Sequence, residues 1–257
     1  MSAVGEIEQF LYALAPKPLT QSWDNVGLLV GRPDREVKKV LVSLDITEAV
    51  AEEASRWGAE LIVAHHPVIF GGVKSVTDRD PTGRTLLYLV EHSLAAICMH
   101  TNLDAAAGGV NDLLADTLGL TDASPVEEHG IERTGVLPDP LPLPDFLARI
   151  KSALAPNGIR YVDGGRPVHC VAVGGGACGD FFPRAAALGC DTFVTADVKY
   201  HQFLDAKAMG LSLIDAGHFP TENLVCPRLC AALSERFPAL EVRQSACHGE
   251  VIQYCPL

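Results

Sequence analysis

The stretch PVHCVAVGGGACGDFFPRAAALGCDTFVTADVKYH (residues 167–201) can be laid without a gap on the stretch that starts 131 residues earlier. That offset pairs Val173 with Val42, Ala185 with Ala54, Gly189 with Gly58, Val194 with Val63 and Asp197 with His66. Few residues are identical, so descent from a duplication is only suggested, but the order of elements repeats. In the first half KKVLVSLD (38–45) reads as a strand with a polar end. TEAVAEEASRWG (47–58) reads as a helix with Thr at its start and Gly after its end. AELIVAHH (59–66) is a strand too apolar for a wet face, which predicts a central, parallel position. TGRTLLYLVEHS then predicts a helix, LAAICMHTNLD a strand and GGVNDLLADTLGL a helix. LSLIDAGHFPTENL follows a helix in the second half as LAAICMHTNLDAAAGG does in the first. Two β-α-β-α-β repeats imply an α/β fold of two similar, intertwined α/β units.

The expected boundaries are a first unit over 1–125 and a second over 126–222. A C-terminal helix and strand over 223–257 would pack back on the first unit. Residues 5–15 should open the chain as a helix. LPDPLPLP (137–144) reads as a looser stretch, followed by a helix in DFLARIKSALAP. A length of 257 residues suits one large or two intertwined domains.

Open parallel sheets carry their sites at the carboxyl ends of strands. The polar strand ends are AHHP, HTNLD, TADVKYH and DAGHFPTE, which would line one cleft if the two halves faced each other. His65 and His66 are adjacent, so on a regular strand they would point to opposite faces. Past the strand end that restriction relaxes, and Pro67 keeps His66 out of the helical region. Two headings suit two ions better than one; the plain alternative is one core imidazole and one solvated one. Asp104 is a ligand candidate or an ordinary helix cap. His100 is placed to orient a ligand by hydrogen bonding. Pro220 suits a first helical position, which makes Glu222 an early-turn carboxylate, four residues from His218, so both side chains reach one point. Three histidines and two carboxylates are the donor set that first-row divalent metals prefer. Five ligands are too many for one hydrolytic ion with an open position, and suit two.

Other signals carry less. GGGACG (174–179) is neither a dinucleotide fingerprint nor a P-loop, and reads as a tight turn or a place of close substrate approach. Trp23, Asp24 and Asn25 would line the cleft or anchor the core. Asp45, Asp197 and His201 are candidates to hydrogen-bond the ligands. Lys199, Arg32 and Lys74 are possible phosphate partners or solvated surface charges. No Ser-His-Asp or Cys-His nucleophile pattern presents itself, and Cys98 reads as core.

The formal net charge of -12 disfavours nucleic-acid backbones and anionic membranes as partners. No stretch approaches the roughly 18 apolar residues of a membrane span. The 8 cysteines form no C-x-x-C pair, Cys226 and Cys230 fall on one helix face, and the N-terminal residues lack an export signal. A cytoplasmic protein with reduced thiols is expected.

The stretches SWDNVGLLVG, VAHHPVIFGG, HTNLDAAAGGVNDLLADTLGL, TADVKYHQFLDA and GHFPTE occur in one order along nearly the whole chain. In that combination the sequence resembles the GTP cyclohydrolase 1 type 2 family, also called the Ngg-interacting-factor-three-like family, in its short form without a central inserted domain. The resemblance implies a dinuclear divalent-metal site in the cleft between the units, with His65, His66, Asp104, His218 and Glu222 as ligands and Glu222 bridging. The ions would be zinc, iron or manganese. It implies a toroidal homohexamer, a trimer of dimers. It also implies hydrolytic opening of the guanine imidazole ring of a nucleotide substrate by metal-activated water. Ala196 departs from the family pattern, which has Gly there in many members. Hydrolysis of a phosphoester or another cyclic amide remains open, as does a non-enzymatic metal-binding or protein-interaction ring.

Overall fold

The protein, a computed structural model, is described over residues 2–255. It divides into two compact units, Met1–Ala106 with Val225–Gly249, and Ala107–Leu224 with Glu250–Leu257. Along the chain the first unit holds strands β1 (Ser2–Ala3), β2 (Gly27–Val30), β3 (Glu36–Val37), β4 (Lys39–Ser43), β5 (Leu61–Ala64) and β6 (Ala95–Cys98). The second holds β7 (Thr121–Pro125), β8 (Arg133–Leu141), β9 (Arg160–Val162), β10 (Val168–Val173), β11 (Thr192–Thr195) and β12 (Ser212–Asp215). The last strand, β13 (Glu241–Gln244), returns to the first unit.

The first unit's main sheet has the order β13-β4-β5-β6-β2. β13, β4, β5 and β6 run parallel, and β2 closes the edge antiparallel to β6. The four residues of β5 are all buried, as their unbroken apolar run requires. Leu41, Ile62 and Ala96 pack on one face against Val50, Ala54 and Leu89 from helices Glu48–Trp57 and Pro81–Glu91. Burying each leucine, isoleucine or valine among them contributes about 1.5–3 kcal/mol.

The second unit's sheet has the order β7-β8-β10-β11-β12-β9. Val171, Val173, Val194 and Ile214 pack on one face against Phe146, Ile150 and Leu154 of helix Leu143–Leu154. Ala172, Phe193 and Leu213 pack on the other against Phe182, Ala185 and Ala206.

The repeat read from the sequence holds at the level of register. Val42 lies opposite Val63 in the first sheet, and Val173 opposite Val194 in the second. In both units three central parallel strands end against an antiparallel edge strand that precedes them in the chain, β2 beside β6 and β9 beside β12. The helix ends match too. Gly58 and Gly189 both adopt the left-handed conformation (φ 76° and 86°) that favours glycine. Gly58 N–H donates to Ser55 and Ala59 N–H to Ala54; Gly189 N–H donates to Ala186 and Cys190 N–H to Ala185. The units differ at the opposite edge, where β13 joins β4 in parallel but β8 joins β10 antiparallel.

Three local readings are corrected. LPDPLPLP is not loose: β8 runs to Leu141 and contains Pro138 and Pro140. Pairing with β7 stops at Val136, and a register shift between Val168 and Cys170 relieves the β10 side, so neither proline is asked to donate in a regular ladder. The strand in LAAICMHTNLD stops at Cys98, and residues 101–105 turn into a short helix that contains Asp104. The helix at GHFPTE begins at His218, so Pro220 sits third in the first turn and Glu222 is the last helical residue. Proline is tolerated anywhere in a first turn, where N–H groups have no partner within the helix. Among the described residues no helix is long and apolar enough to cross a membrane.

Candidate metal centre

β5 ends at Ala64, so His65 and His66 lie just beyond it, freed from strand alternation. Their rings do not diverge. The centroids are 4.9 Å apart and the planes tilt by 44°. β6 ends at Cys98 and brings a third imidazole, His100, with centroids 5.2 Å from His65 and 5.6 Å from His66. One nitrogen of each lies within 4.8 Å of the others, a grouping able to hold a metal ion.

Each ring is fixed from behind. His65 is fully buried and donates from Nδ1 to the Met99 carbonyl oxygen at 2.8 Å. His66 donates from Nδ1 to Oδ1 of Asp45 at 2.7 Å, and His100 to Oδ1 of Asp24 at 2.8 Å. A carbonyl or carboxylate oxygen only accepts, so Nδ1 carries a proton, which in the neutral form of the ring leaves the Nε2 lone pair facing forward. Asp104 Oδ1 stands 3.4 Å from His65 Nε2. Two donors on one tetrahedral ion with bonds of about 2.0–2.1 Å stand about 3.3 Å apart, so this spacing fits co-ligation.

Asp24 is the keystone behind His100. Burial alone would raise its carboxyl pKa, but hydrogen bonds from His100, Thr101 and the Asn25 backbone outweigh it and hold the group well below the usual carboxylate range. Both the Thr101 hydroxyl (2.6 Å) and the Thr101 N–H (3.1 Å) donate to Oδ2.

The second unit builds its own cluster the same way. β11 ends at Thr195 and β12 at Asp215. His218 donates from Nδ1 to Oδ2 of Asp197 at 2.7 Å, and its Nε2 faces Oε2 of Glu222 at 3.0 Å. Asp197 takes the left-handed conformation (φ 53°), which Asp adopts more readily than most residues. Ala196 before it is fully buried. Asp215 pins both loops, accepting from Val198 N–H at 3.0 Å and Gly217 N–H at 3.1 Å while pairing with Arg160.

GGGACG explains itself here. Gly176 (φ 64°) accepts at its carbonyl from Ala196 N–H and Thr195 Oγ1 and donates its N–H to Thr221 Oγ1. A Cβ on Gly176 would lie 2.0 Å from Oε1 of Glu222 and 3.1 Å from Nε2 of His218. The loop makes room for two donor atoms, which is the fit a metal requires.

The remaining candidates scatter. The structure brings Asp197, not His201, to His218; His201 is exposed in helix Tyr200–Ala208. Lys199, Arg32 and Lys74 are exposed. Burial pushes the Cys98 thiol up to about 12, as a core residue demands. Sequence reasoning missed Met99, Asp215 and Gly176 as supports. The first acts through a backbone carbonyl, which leaves no mark in a sequence. A cavity of about 270 Å³ opens beside His66, walled by Asp45, Thr47, Glu48, Pro67 and Val68 among others, with no lysine or arginine in its lining.

The profile of the family described as Duf34/NIF3 (NGG1p interacting factor 3) matches residues 2–250. A Clostridium perfringens protein named GTP cyclohydrolase 1 type 2 homolog is 36% identical over 91% of this chain and 92% of its own length. A protein of the same name from Streptomyces coelicolor is 36% identical over 91% of this chain and 87% of its own. The crystal structure of a hypothetical protein from Staphylococcus aureus superimposes with a TM-score of 0.90 at 29% identity, covering 98% of this chain and 99% of that one.

Proposed function

The chain belongs to the Duf34/NIF3 family, and on that premise we propose that it is a divalent-metal-dependent hydrolase whose ligands are His65, His66, Asp104, His218 and Glu222. The observation that carries this reading is the shared anchoring of the imidazoles. His65, His66 and His218 each donate from Nδ1 to an oxygen acceptor and so offer Nε2 forward. Such partners are typical of metal-ligating histidine, where they fix the ring and strengthen it as a donor. A core or solvated histidine needs no such uniformity.

Two ions per chain, of zinc, iron or manganese, would be held by these five side chains, Glu222 among them. Bound there, they would acidify a water and neutralise charge that develops on the substrate. The chain's own part is to hold the donors. Asp45, Asp197 and the Met99 carbonyl set the tautomers, and Gly176 keeps space open before Glu222. The names of the relatives support a small nucleotide substrate, with opening of the guanine imidazole ring and loss of formate as the specific reaction. Assembly into a homohexamer in the cytoplasm belongs to the same proposal.

Metal-loaded protein should release formate from GTP, and His66→Ala should lose that activity. Elemental analysis that finds no metal after reloading overturns the metal site. Bound metal with identical formate yield from both proteins overturns the cyclohydrolase reading. A parallel screen of phosphoesters and cyclic amides then tells whether another hydrolysis stands in its place.

A further inference from the structure

Two large aromatic side chains stand in solvent beside the histidine cluster of the first unit. Trp23 is 59% exposed and Phe70 60%. Their centroids are 5.8 Å apart and their planes tilt by 53°, so the rings meet as a corner. The same corner touches His100, with centroids 6.2 Å from Trp23 and 6.0 Å from Phe70.

Exposed aromatics are commonly carried on slack loops, but these two are mounted rigidly. Asp24, directly after Trp23, has a fully buried side chain that takes hydrogen bonds from His100 and twice from Thr101. Gln21 N–H, two residues before Trp23, donates to the Thr101 hydroxyl at 3.0 Å. Asn25 donates from its side chain to the carbonyl oxygen of Ile69 at 2.7 Å, and Ile69 directly precedes Phe70. The loop that carries one ring is thereby tied to the loop that carries the other, and both to the strand end that carries His100. Fixing a binding surface in advance lowers the entropic cost of taking a ligand.

We propose that Trp23 and Phe70 form a stacking corner for a flat, conjugated heteroaromatic ring, with the edge of that ring directed toward His100 and its neighbours His65 and His66. A ring laid on one aromatic face of the corner meets the other ring at its side, the tilted arrangement that aromatic groups prefer. Stacking needs no particular hydrogen-bond pattern and no charge, so it selects a flat ring over a sugar or a phosphate. The proposal rests on the metal-hydrolase reading only for which part of the ligand reacts. Ring binding itself requires no metal.

The test is titration of the full-length protein, metal-free and metal-loaded, with guanosine and nicotinamide as flat rings of two sizes and ribose 5-phosphate as a probe without one. Binding is read by calorimetry and by the emission of Trp23 in a Trp57→Phe background. At least one flat ring is expected to bind in both metal states, while ribose 5-phosphate leaves Trp23 emission unchanged. Trp23→Ala and Phe70→Ala should each weaken ring binding about tenfold, and Trp23→Phe should restore most of it. Thermal unfolding confirms that the variants are folded. Absence of ring binding in both metal states overturns the proposal, as does unchanged affinity in Trp23→Ala and Phe70→Ala. A change in sedimentation with ring affinity intact reassigns the corner to a contact between copies of the chain and also overturns it. Failure to bind metal sinks the hydrolase reading while leaving the stacking result standing.

Discussion

Oδ1 of Asp45 lies 2.7 Å from Nδ1 of His66, at the end of the strand beside the one His66 follows. Asp45→Ala is expected to leave the fold intact and to weaken divalent-metal affinity about 10–100-fold, because the ring loses its orientation and its tautomer. Competition with a chromogenic chelator measures it. An unchanged affinity means Asp45 is only a surface partner.

Gly176 offers a steric test of the second unit's cluster. An alanine methyl there would press on Glu222 at 2.0 Å in a backbone conformation (φ 64°) that disfavours a side chain. Gly176→Ala should cost about 1–2 kcal/mol in stability from backbone strain alone. It should also lower metal content by displacing the Glu222 carboxylate. Chemical denaturation and elemental analysis on one preparation separate the two effects.

Arg133 is the bulkiest fully buried side chain of the second unit. Its Nε donates to Asp112 Oδ1 at 2.5 Å, and Nη1 to the carbonyl oxygens of Gly130 and Ile131. Asp112→Ala should destabilise the protein by about 3–5 kcal/mol, since it takes the paired carboxylate away from a buried guanidinium. Arg133→Met should cost less, because it removes the charge while keeping most of the volume. Urea denaturation of the two variants ranks them.

Acid should loosen the segment after β13. Burial alone would raise the Glu53 carboxyl, but hydrogen bonds from Ser245, Ala246 and Cys247 outweigh it and hold the group below its ordinary value. Burial lowers the pKa of His248, an effect that Asp45 and Glu53 only partly oppose. His248 Nδ1 accepts from Leu44 N–H at 2.9 Å, which its protonation forbids. Both groups bind fewer protons folded than unfolded, so their stabilisation is complete at neutral pH and lost on acidification. The His248 part fades as pH falls below its ordinary 6.5, and the Glu53 part below its ordinary 4.5. Hydrogen exchange, corrected for the intrinsic rate, should show protection of Leu44, Ala246 and Cys247 falling from pH 7 to pH 4. Rising protection would contradict this account.

The α/β class and the paired strands were legible because apolar runs and helix-ending glycines are local signals. Val42, Val63, Val173 and Val194 declared themselves by spacing, and their register followed. The histidine pair was visible as an interruption of an apolar run. The convergence of its rings was not, since alternation rules stop applying at Ala64. β8 was hidden by Pro138 and Pro140, whose local preference yields to an edge ladder. The supports of the cluster were least legible. A Met99 carbonyl, a left-handed Gly176 and the tie from Asn25 to Ile69 depend on contacts between distant residues.

β13 joins β4 residue for residue, Glu241 beside Lys39 through Gln244 beside Val42. The first unit thus owes one of its outer strands to residues 241–244, whereas among the described residues every strand of the second lies between residues 121 and 215. During synthesis the second unit has its whole sheet in hand while the first still exposes the open flank of β4. That flank is a bare row of N–H and C=O groups on an apolar strand, a template for another chain. A chain that stops before Glu241 would make that interval permanent, and sticking between chains at β4 is the failure such a truncated product would show.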